Sequence, residues 1–157
     1  MTDPEEFRLG VDPGVSGAIA YLAGPRVAWV MDMPTMEKAS GKGQQVNAAA
    51  LAQILRSAPG RPTVWLEKVS AMPGQGVTSV FSFGRSTGVV EGVTAALGLS
   101  LRLVTPQMWK KRAGLTGKAK DAARTLCVQS HPEIAGELTR KKDVGRADAI
   151  LIAEFGA

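Results

Sequence analysis

Apolar and polar positions in the early part of the chain follow short runs that are typical of strands. The run from Phe7 to Asp12 predicts a strand that enters the core. Proline and glycine follow it and end it, because proline lacks a backbone donor and glycine permits a turn. The runs Gly17 to Ala23 and Arg26 to Asp32 predict two more strands, joined by a Gly-Pro turn short enough for a hairpin. We therefore expect three antiparallel strands.

The pattern changes after the third strand. The segment from Thr35 to Gln45 has few apolar residues, two glycines and no hydrophobic period, which predicts a mobile loop. Asn47 suits the N-cap of a helix of about ten residues, AAALAQILRS. The short apolar run from Pro62 to Glu67 is typical of a strand buried on both faces. We expect this strand beside the first one.

A long helix is predicted from Thr78 to Leu97. Gly84, Gly88 and Gly92 recur every four residues in it and leave one stripe without side chains. Another backbone can approach such a stripe closely, either on the sheet or across a dimer axis. Leucines alternate from Leu99 to Leu103, which predicts a further strand.

Two last helices are expected, from Gly117 to Gln129 and from about Val144 to Glu154. The element order βββαβαβαα indicates an α/β fold with a mixed sheet flanked by helices, and residues 1–157 have the size of one domain. No run of 18 apolar residues and no signal-peptide pattern is present, so we expect a cytoplasmic protein without a membrane span.

Composition narrows the kinds of site that this domain could hold. Cys127 is the only cysteine, which excludes a disulfide framework and a cysteine-based zinc site, so any metal must be held mainly by oxygen. Lys and Arg outnumber Asp and Glu by 19 to 14, and the pI of about 9.7 makes a polyanion the natural partner. The basic residues concentrate in the second half of the chain, which predicts one positive face.

Asp12 and Glu67 each end a predicted strand. In open α/β sheets, reactions take place beyond the carboxyl ends of the strands. If the two strands are neighbours, the sheet spacing of about 4.8 Å puts both carboxylates within reach of one divalent cation. Without a cation, their repulsion would raise the pKa of one of them. The alternative is that Asp12 starts a turn and Glu67 is a solvated strand end.

The C-terminal segment contributes two more acids. Asp143 precedes the last helix and could be its N-cap. Asp148 lies one turn into that helix, on the face that Leu151 and Ile152 pack against the core. A buried acid needs a partner. A metal shared with the strand-end acids could supply it, and so could Arg146 or a lysine.

Several motifs resemble the RuvC family of Holliday junction resolvases, above all its phage-type branch. These motifs are GVDPGVSGAIA at 10–20, LEKV at 66–69, MPGQGVTSVFSFGRSTGVVEG at 72–92, VTPQMWKK at 104–111 and GRADAILIA at 145–153. The resemblance covers nearly the whole chain in the right order. It implies a ribonuclease H-like fold with a central mixed five-stranded sheet flanked by helices. It further implies a homodimer and, for a phage-encoded protein, the host cytoplasm.

The resemblance also implies an activity, a cofactor and a set of site residues. The activity is paired symmetric nicking of four-way DNA junctions, which leaves 5′-phosphate and 3′-hydroxyl ends. The cofactor is Mg²⁺ or Mn²⁺, with two ions in each active site. The catalytic and metal-binding acids are Asp12, Glu67, Asp148 and Asp143. Cellular members have the fourth acid three residues before the acid that matches Asp148. Gly145 occupies that position in this chain, and Asp143 is the nearest acid.

Basic and aromatic residues are expected to serve the DNA. Lys120 matches a region where the family has a basic residue near the reacting phosphate, with a solvated helix lysine as the alternative. Phe81 and Phe83 are candidates for base stacking, although core packing is the favoured interpretation of both. His131 is interpreted as a structural or surface residue. The residues expected to grip the junction arms through phosphate contacts are Arg85, Lys110, Lys111, Lys118, Arg140, Lys141 and Lys142.

The leading hypothesis is therefore a crossover junction endodeoxyribonuclease. The displaced fourth acid keeps open a junction-binding protein with an impaired active site. A ribonuclease H-like nuclease acting on RNA is a third hypothesis. An actin-like ATPase is disfavoured because that fold needs two such domains around a nucleotide, and the sequence has no P-loop.

Overall fold

The computed structural model describes residues 6–157. The chain begins with an antiparallel meander of three strands, β1 (Phe7–Asp12), β2 (Ala18–Ala23) and β3 (Arg26–Asp32). The middle strand is almost wholly buried, since it is covered on both faces. These strands and the hairpin between the second and third confirm the prediction.

The segment predicted as a mobile loop is a second, short hairpin, β4 (Thr35–Glu37) and β5 (Gln44–Val46). The backbone N–H of Lys38 donates to the carbonyl of Gly43 at 2.9 Å and closes it. The loop prediction was wrong because backbone hydrogen bonds hold this pair while its side chains are mostly exposed. Exposed strands show no apolar alternation, so the sequence carries little signal for them.

Helix α1 (Ala48–Ser57) and strand β6 (Thr63–Glu67) come next. The side chain of Asn47 accepts from the backbone N–H of Ala50 at 3.1 Å, which confirms the predicted N-cap. Strand β6 runs parallel to β1, with Val11 opposite Leu66. The two strands are therefore neighbours, as predicted.

Helix α2 (Val77–Ala96) leads to strand β7 (Leu101–Val104), which pairs parallel to β6. The five-stranded sheet has the order β3-β2-β1-β6-β7. It is mixed, because the first three strands are antiparallel and the last two run parallel to β1.

Helices α3 (Pro106–Arg112), α4 (Ala122–Ser130) and α5 (Val144–Phe155) complete the chain, with 3₁₀ turns at Pro132–Glu137 and Lys141–Asp143 between the last two. Helix α3 was not predicted, although a threonine N-cap followed by proline marks its start. Helix α4 begins later than expected, because the residues from 117 to 121 are not helical.

The two faces of the sheet carry separate apolar clusters, one under α4 and α5 and the other under α1 and α2. Helix α5 crosses β1 so closely that a Cβ added at Gly10 would collide with the carbonyl oxygen of Ala149. Cys127 is fully buried in the first cluster, and burial raises the pKa of its thiol.

The glycine stripe of α2 does not pack on the sheet. The buried face of this helix carries Ser86 and Val90, whereas a Cβ added at Gly84, Gly88 or Gly92 would meet nothing within 4 Å. Of the two interpretations of the stripe, sheet packing was wrong and a dimer axis stays a prediction. No helix among the described residues is long and apolar enough to cross a membrane.

Candidate active site

Three carboxylates from three elements meet at one edge of the sheet. Asp12 ends β1, and Glu67 ends the adjacent parallel strand β6. Val11 and Leu66 are paired across the two strands, and each acid is the next residue along its strand. Asp148 reaches the same place from the first turns of α5, which lies across β1. Each of the three side chains is only partly exposed.

The surroundings of these acids disfavour their charged forms. Burial, and then repulsion from Glu67 and Asp148, raises the pKa of Asp12 well above its ordinary value. Burial, and then repulsion from Glu67, raises the pKa of Asp148 to about 7. Burial also raises the pKa of Glu67, against the opposing effects of a hydrogen bond from Trp109 and the charge of Lys110. The three acids therefore form one interacting cluster.

Two lysines act on this cluster, Lys110 from helix α3 and Lys120 from the turn before helix α4. Lys120 and Lys110 both lower the pKa values of Asp12 and Asp148, and Lys110 also lowers that of Glu67. From the sequence, Lys120 was expected near the reacting phosphate and Lys110 at the DNA arms. The structure brings both lysines near the acids.

Trp109 also belongs to this region, and its role was not predicted from the sequence. Its side chain is fully buried, and its indole N–H donates to Oε2 of Glu67 at 2.8 Å. The available signal was the tryptophan of VTPQMWKK, since a buried indole normally finds an acceptor. The partner itself could not be predicted without the unpredicted helix α3.

The chemistry of the acid cluster fits a hard divalent cation. Mg²⁺ and Mn²⁺ prefer carboxylate oxygens, and a cation would remove the repulsion that raises the pKa values of Asp12 and Asp148. In the part of the chain that the structure describes, no three acidic, histidine or cysteine side chains are already arranged as a ligand set. A bound cation would therefore have to draw the three carboxylates together.

Asp143 is not among the acids that act on Asp12 or Asp148. Its buried carboxylate accepts from the backbone N–H of Arg140 at 2.7 Å and from the guanidinium of the same residue at 2.7 Å. Burial alone would raise the pKa of Asp143, but these hydrogen bonds hold it below its ordinary value. Asp143 occupies the N-cap position of α5 without a side-chain capping hydrogen bond.

Gly145 marks the place of the acid that cellular RuvC proteins are expected to have. A Cβ added at Gly145 would lie 3.7 Å from Oδ2 of Asp12 and 2.8 Å from the carbonyl oxygen of Ser16. The position therefore faces the acid cluster. Close approach of the Ser16 backbone favours glycine there.

Arg146, considered as a partner for Asp148, binds other acids. Its Nε donates to Asp32 at 2.8 Å, and its Nη1 donates to Glu137 at 3.0 Å. Arg140 lies 3.6 Å from the same Asp32. These ion pairs connect the end of β3 to the start of α5.

An open cleft of about 740 Å³ runs past Asp12 and Asp148. Lys120, Lys141 and Lys142 also line it, so three of the predicted DNA-binding or catalytic lysines border the same cleft as two of the acids. The cleft is therefore lined by both acidic and basic side chains.

Phe83 lines this cleft and is 37% exposed, and Phe81 is 73% exposed on the same helix. Core packing was the wrong interpretation for both. His131 is buried and lies 3.0 Å from Glu154, which agrees with a structural role.

The remaining predicted DNA-binding residues lie outside the cleft. Lys111 and Lys118 are exposed, and neither lines it. Arg85 borders a smaller groove of about 220 Å³ between α2 and the β4–β5 hairpin, together with Lys38.

The sheet, the flanking helices and the acids at the strand ends define a protein with a ribonuclease H-like fold. Among solved structures, RuvC of Thermus thermophilus superposes with a TM-score of 0.62 at 21% identity, over 94% of this chain and 90% of that one. The same protein in complex with a Holliday junction substrate gives a TM-score of 0.61 at 18% identity, with the same coverage. These similarities confirm the predicted fold class and the resemblance to RuvC.

The sequence also matches a curated relative. It is 31% identical over 120 residues to the chloroplastic Holliday junction resolvase MOC1 of Chlamydomonas reinhardtii. The match covers 74% of this chain, and the chain spans only 14% of the length of that relative. No family model matches the sequence.

Proposed function

We propose that this protein is a metal-dependent endonuclease that resolves four-way DNA junctions by paired, symmetric nicks. The observation that carries the proposal is the convergence of Asp12, Glu67 and Asp148 at one sheet edge, where Asp12 and Asp148 line a cleft that three lysines also line. The similarity to a Holliday junction resolvase and to RuvC supports a branched DNA as the substrate.

The acid cluster provides the ligands of the metal. Asp12, Glu67 and Asp148 would hold Mg²⁺ or Mn²⁺, and the prediction of two ions, with Asp143 as a fourth ligand, requires Asp143 to exchange Arg140 for a cation. When bound, the ions supply an activated water and stabilise the leaving 3′ oxygen, which gives 5′-phosphate and 3′-hydroxyl ends.

The lysines of the cleft bind the DNA backbone. Lys120 and Lys110 lie near enough to the acids to act on their pKa values, so they are suited to the charge of the scissile phosphodiester. Lys141 and Lys142 border the same cleft and suit the flanking phosphates. Exposed Phe81 and Phe83 present aromatic faces to unstacked bases.

Two copies of the chain are needed to cut two symmetric strands. A two-fold dimer presents two identical sites, and the glycine stripe of α2 gives a face without side chains for close contact between helices. Val77 adds an apolar side chain, 86% exposed, to the first turn of this helix. We propose that α2 pairs with α2 of a second copy.

The test is cleavage of an end-labelled synthetic four-way junction, with a linear duplex of the same sequence beside it. Wild-type protein with Mg²⁺ or Mn²⁺ is expected to nick two opposed strands near the crossover. EDTA and the Glu67→Gln variant are expected to abolish cutting, whereas Glu37→Gln, an exposed hairpin position, keeps it. Equal cutting of the linear duplex, or preferred cutting of an RNA–DNA hybrid, would contradict the proposal.

Two observations favour a second candidate, a junction-binding protein without nuclease activity. Position 145 beside Asp12 carries no acid, and Asp143 is engaged by Arg140. Under this alternative, the junction is bound tightly and stays whole with both metals. Gel-shift titration of the same junction in the cleavage buffer separates the two candidates.

A further inference from the structure

We propose that Trp109 is a positioning residue, which fixes one carboxylate oxygen of Glu67 and so restricts the orientations in which this carboxylate can bind a divalent cation. This inference rests on the proposed function for its ligand. It concerns a residue of the chain that does not itself touch the metal or the DNA.

The contact is built into the core rather than formed at the surface. Trp109 is 0% exposed and packs in the apolar cluster that contains Val104 and Ile150. Its indole N–H is 2.8 Å from Oε2 of Glu67, a short distance for a bond to a carboxylate. A ring fixed on all sides therefore fixes the direction from which this oxygen is approached.

Glu67 needs such a constraint more than the other two acids do. Its side chain is longer than that of aspartate by one methylene and has one more torsion to order. It ends the parallel strand β6, beyond which the chain leaves the sheet. With Oε2 bound to the indole, rotation of the carboxylate is restricted, so less conformational entropy is lost when a cation binds.

Helix α3 presents two consecutive residues to the acids. Trp109 donates its N–H to Glu67, and the ammonium of Lys110 lies 5.4 Å from the centre of the Trp109 ring. Lys110 also acts on the charge of all three carboxylates. Removal of the indole N–H alone would loosen Glu67 while the packing of the ring and the lysine remain.

The chain offers a matched control for this experiment. Trp65 is a partly buried tryptophan of the same sheet region, and its indole nitrogen is buried without a hydrogen-bond partner among the described residues. Trp65→Phe and Trp109→Phe therefore make the same chemical change. Only the second removes a hydrogen bond to a proposed metal ligand.

The measurement is the dissociation constant for Mn²⁺, from the electron paramagnetic resonance signal of the free ion, with full-length protein and no DNA. Groups that orient metal ligands typically change metal affinity by about 10–100-fold, so we expect Trp109→Phe to weaken Mn²⁺ binding at least tenfold. We expect Trp65→Phe to bind as the wild type does. Junction affinity in EDTA should be the same for both variants.

A second variant at position 109 and the wild-type protein complete the experiment. If Trp109→Phe does not fold, 3-benzothienylalanine at position 109 replaces the N–H with sulfur and keeps the ring shape. Unchanged Mn²⁺ affinity in the folded variant, or equal weakening by Trp65→Phe, overturns the positioning role alone. A wild-type protein that binds no Mn²⁺ overturns this inference together with the metal site of the proposed function.

Discussion

Asp148 lies where its charge is unfavourable. Burial and the neighbouring Glu67 raise its pKa to about 7, from an ordinary value of 3.8. The folded protein therefore keeps a proton that the unfolded chain has already lost. Stability from this group is full below about pH 4 and is lost as the pH rises through about 7.

We expect Asp148→Asn to stabilise the metal-free protein at pH 8 by roughly 2–4 kcal/mol, since each unit of pKa shift corresponds to about 1.4 kcal/mol. At pH 4 the two proteins should be nearly equal, because Asp148 is then uncharged in the folded state. Urea unfolding in EDTA at both pH values measures the difference. An equal difference in unfolding free energy at both pH values would contradict the assignment of Asp148 to a site that raises its pKa.

Gly145 allows a second residue-scale prediction. Gly145→Ala should destabilise the metal-free protein by about 1–3 kcal/mol, because the new Cβ would lie 2.8 Å from the carbonyl of Ser16. Gly145→Asp should destabilise the protein more than Gly145→Ala at neutral pH, since it adds a carboxylate beside Asp12. Saturating Mn²⁺ should reduce the difference in melting temperature between these two variants. A gap that Mn²⁺ leaves unchanged would argue against a cation at this edge.

The site residues that lie at the ends of strands could be predicted from the sequence. Asp12 and Glu67 end recognisable apolar runs, and adjacent parallel strands bring such ends together. The bond from Trp109 to Glu67 joins residues 42 apart in sequence and depends on how α3 packs. No local sequence pattern predicts a contact between such distant residues. The sequence therefore indicated the acids but not the tryptophan that binds Glu67.

At the scale of elements, the site depends on how closely α5 approaches β1. Gly10 makes this possible, because its missing side chain leaves room for the backbone of Ala149. The helix can then present Asp148 beside the strand end. The periodic apolar face of α5 was predictable, whereas the depth of its packing was not.

We expect Gly10→Ala to destabilise the protein by several kcal/mol, since the added methyl has no space and backbone must move. Gly76→Ala is the control, because its new Cβ would meet only Ser79 Oγ at 3.9 Å. The free energy of unfolding in urea gives both values. Equal stability of the two variants would show that α5 does not contact β1 as described.

The elements that the sequence misjudged share one cause. The β4–β5 hairpin and helix α3 are short, and their positions are set by caps and backbone hydrogen bonds rather than by apolar periodicity. The long elements, with strong apolar patterns, were all predicted. Patterns of apolar residues report burial only when they repeat, and the β4–β5 hairpin is mostly exposed while α3 buries the single side chain of Trp109.

At the scale of the whole molecule, the unpartnered glycine stripe of α2 is the feature that the single chain leaves unexplained. We expect the wild-type protein to sediment as a dimer. Gly88→Arg should give monomers, because the new side chain fills the proposed contact. Gly136→Arg, at another position where an added Cβ meets nothing, should remain dimeric. Monomeric wild type in analytical ultracentrifugation would contradict the proposed interface.

The most direct measurement of the central claim is cleavage of a supercoiled plasmid that extrudes a cruciform. A metal-dependent dimer that nicks two opposed strands in one encounter is expected to produce linear plasmid directly with Mg²⁺, and none with EDTA or with Glu67→Gln. Intact plasmid under all conditions, or nicked circles that never become linear, would contradict the account of this protein as a junction-resolving nuclease.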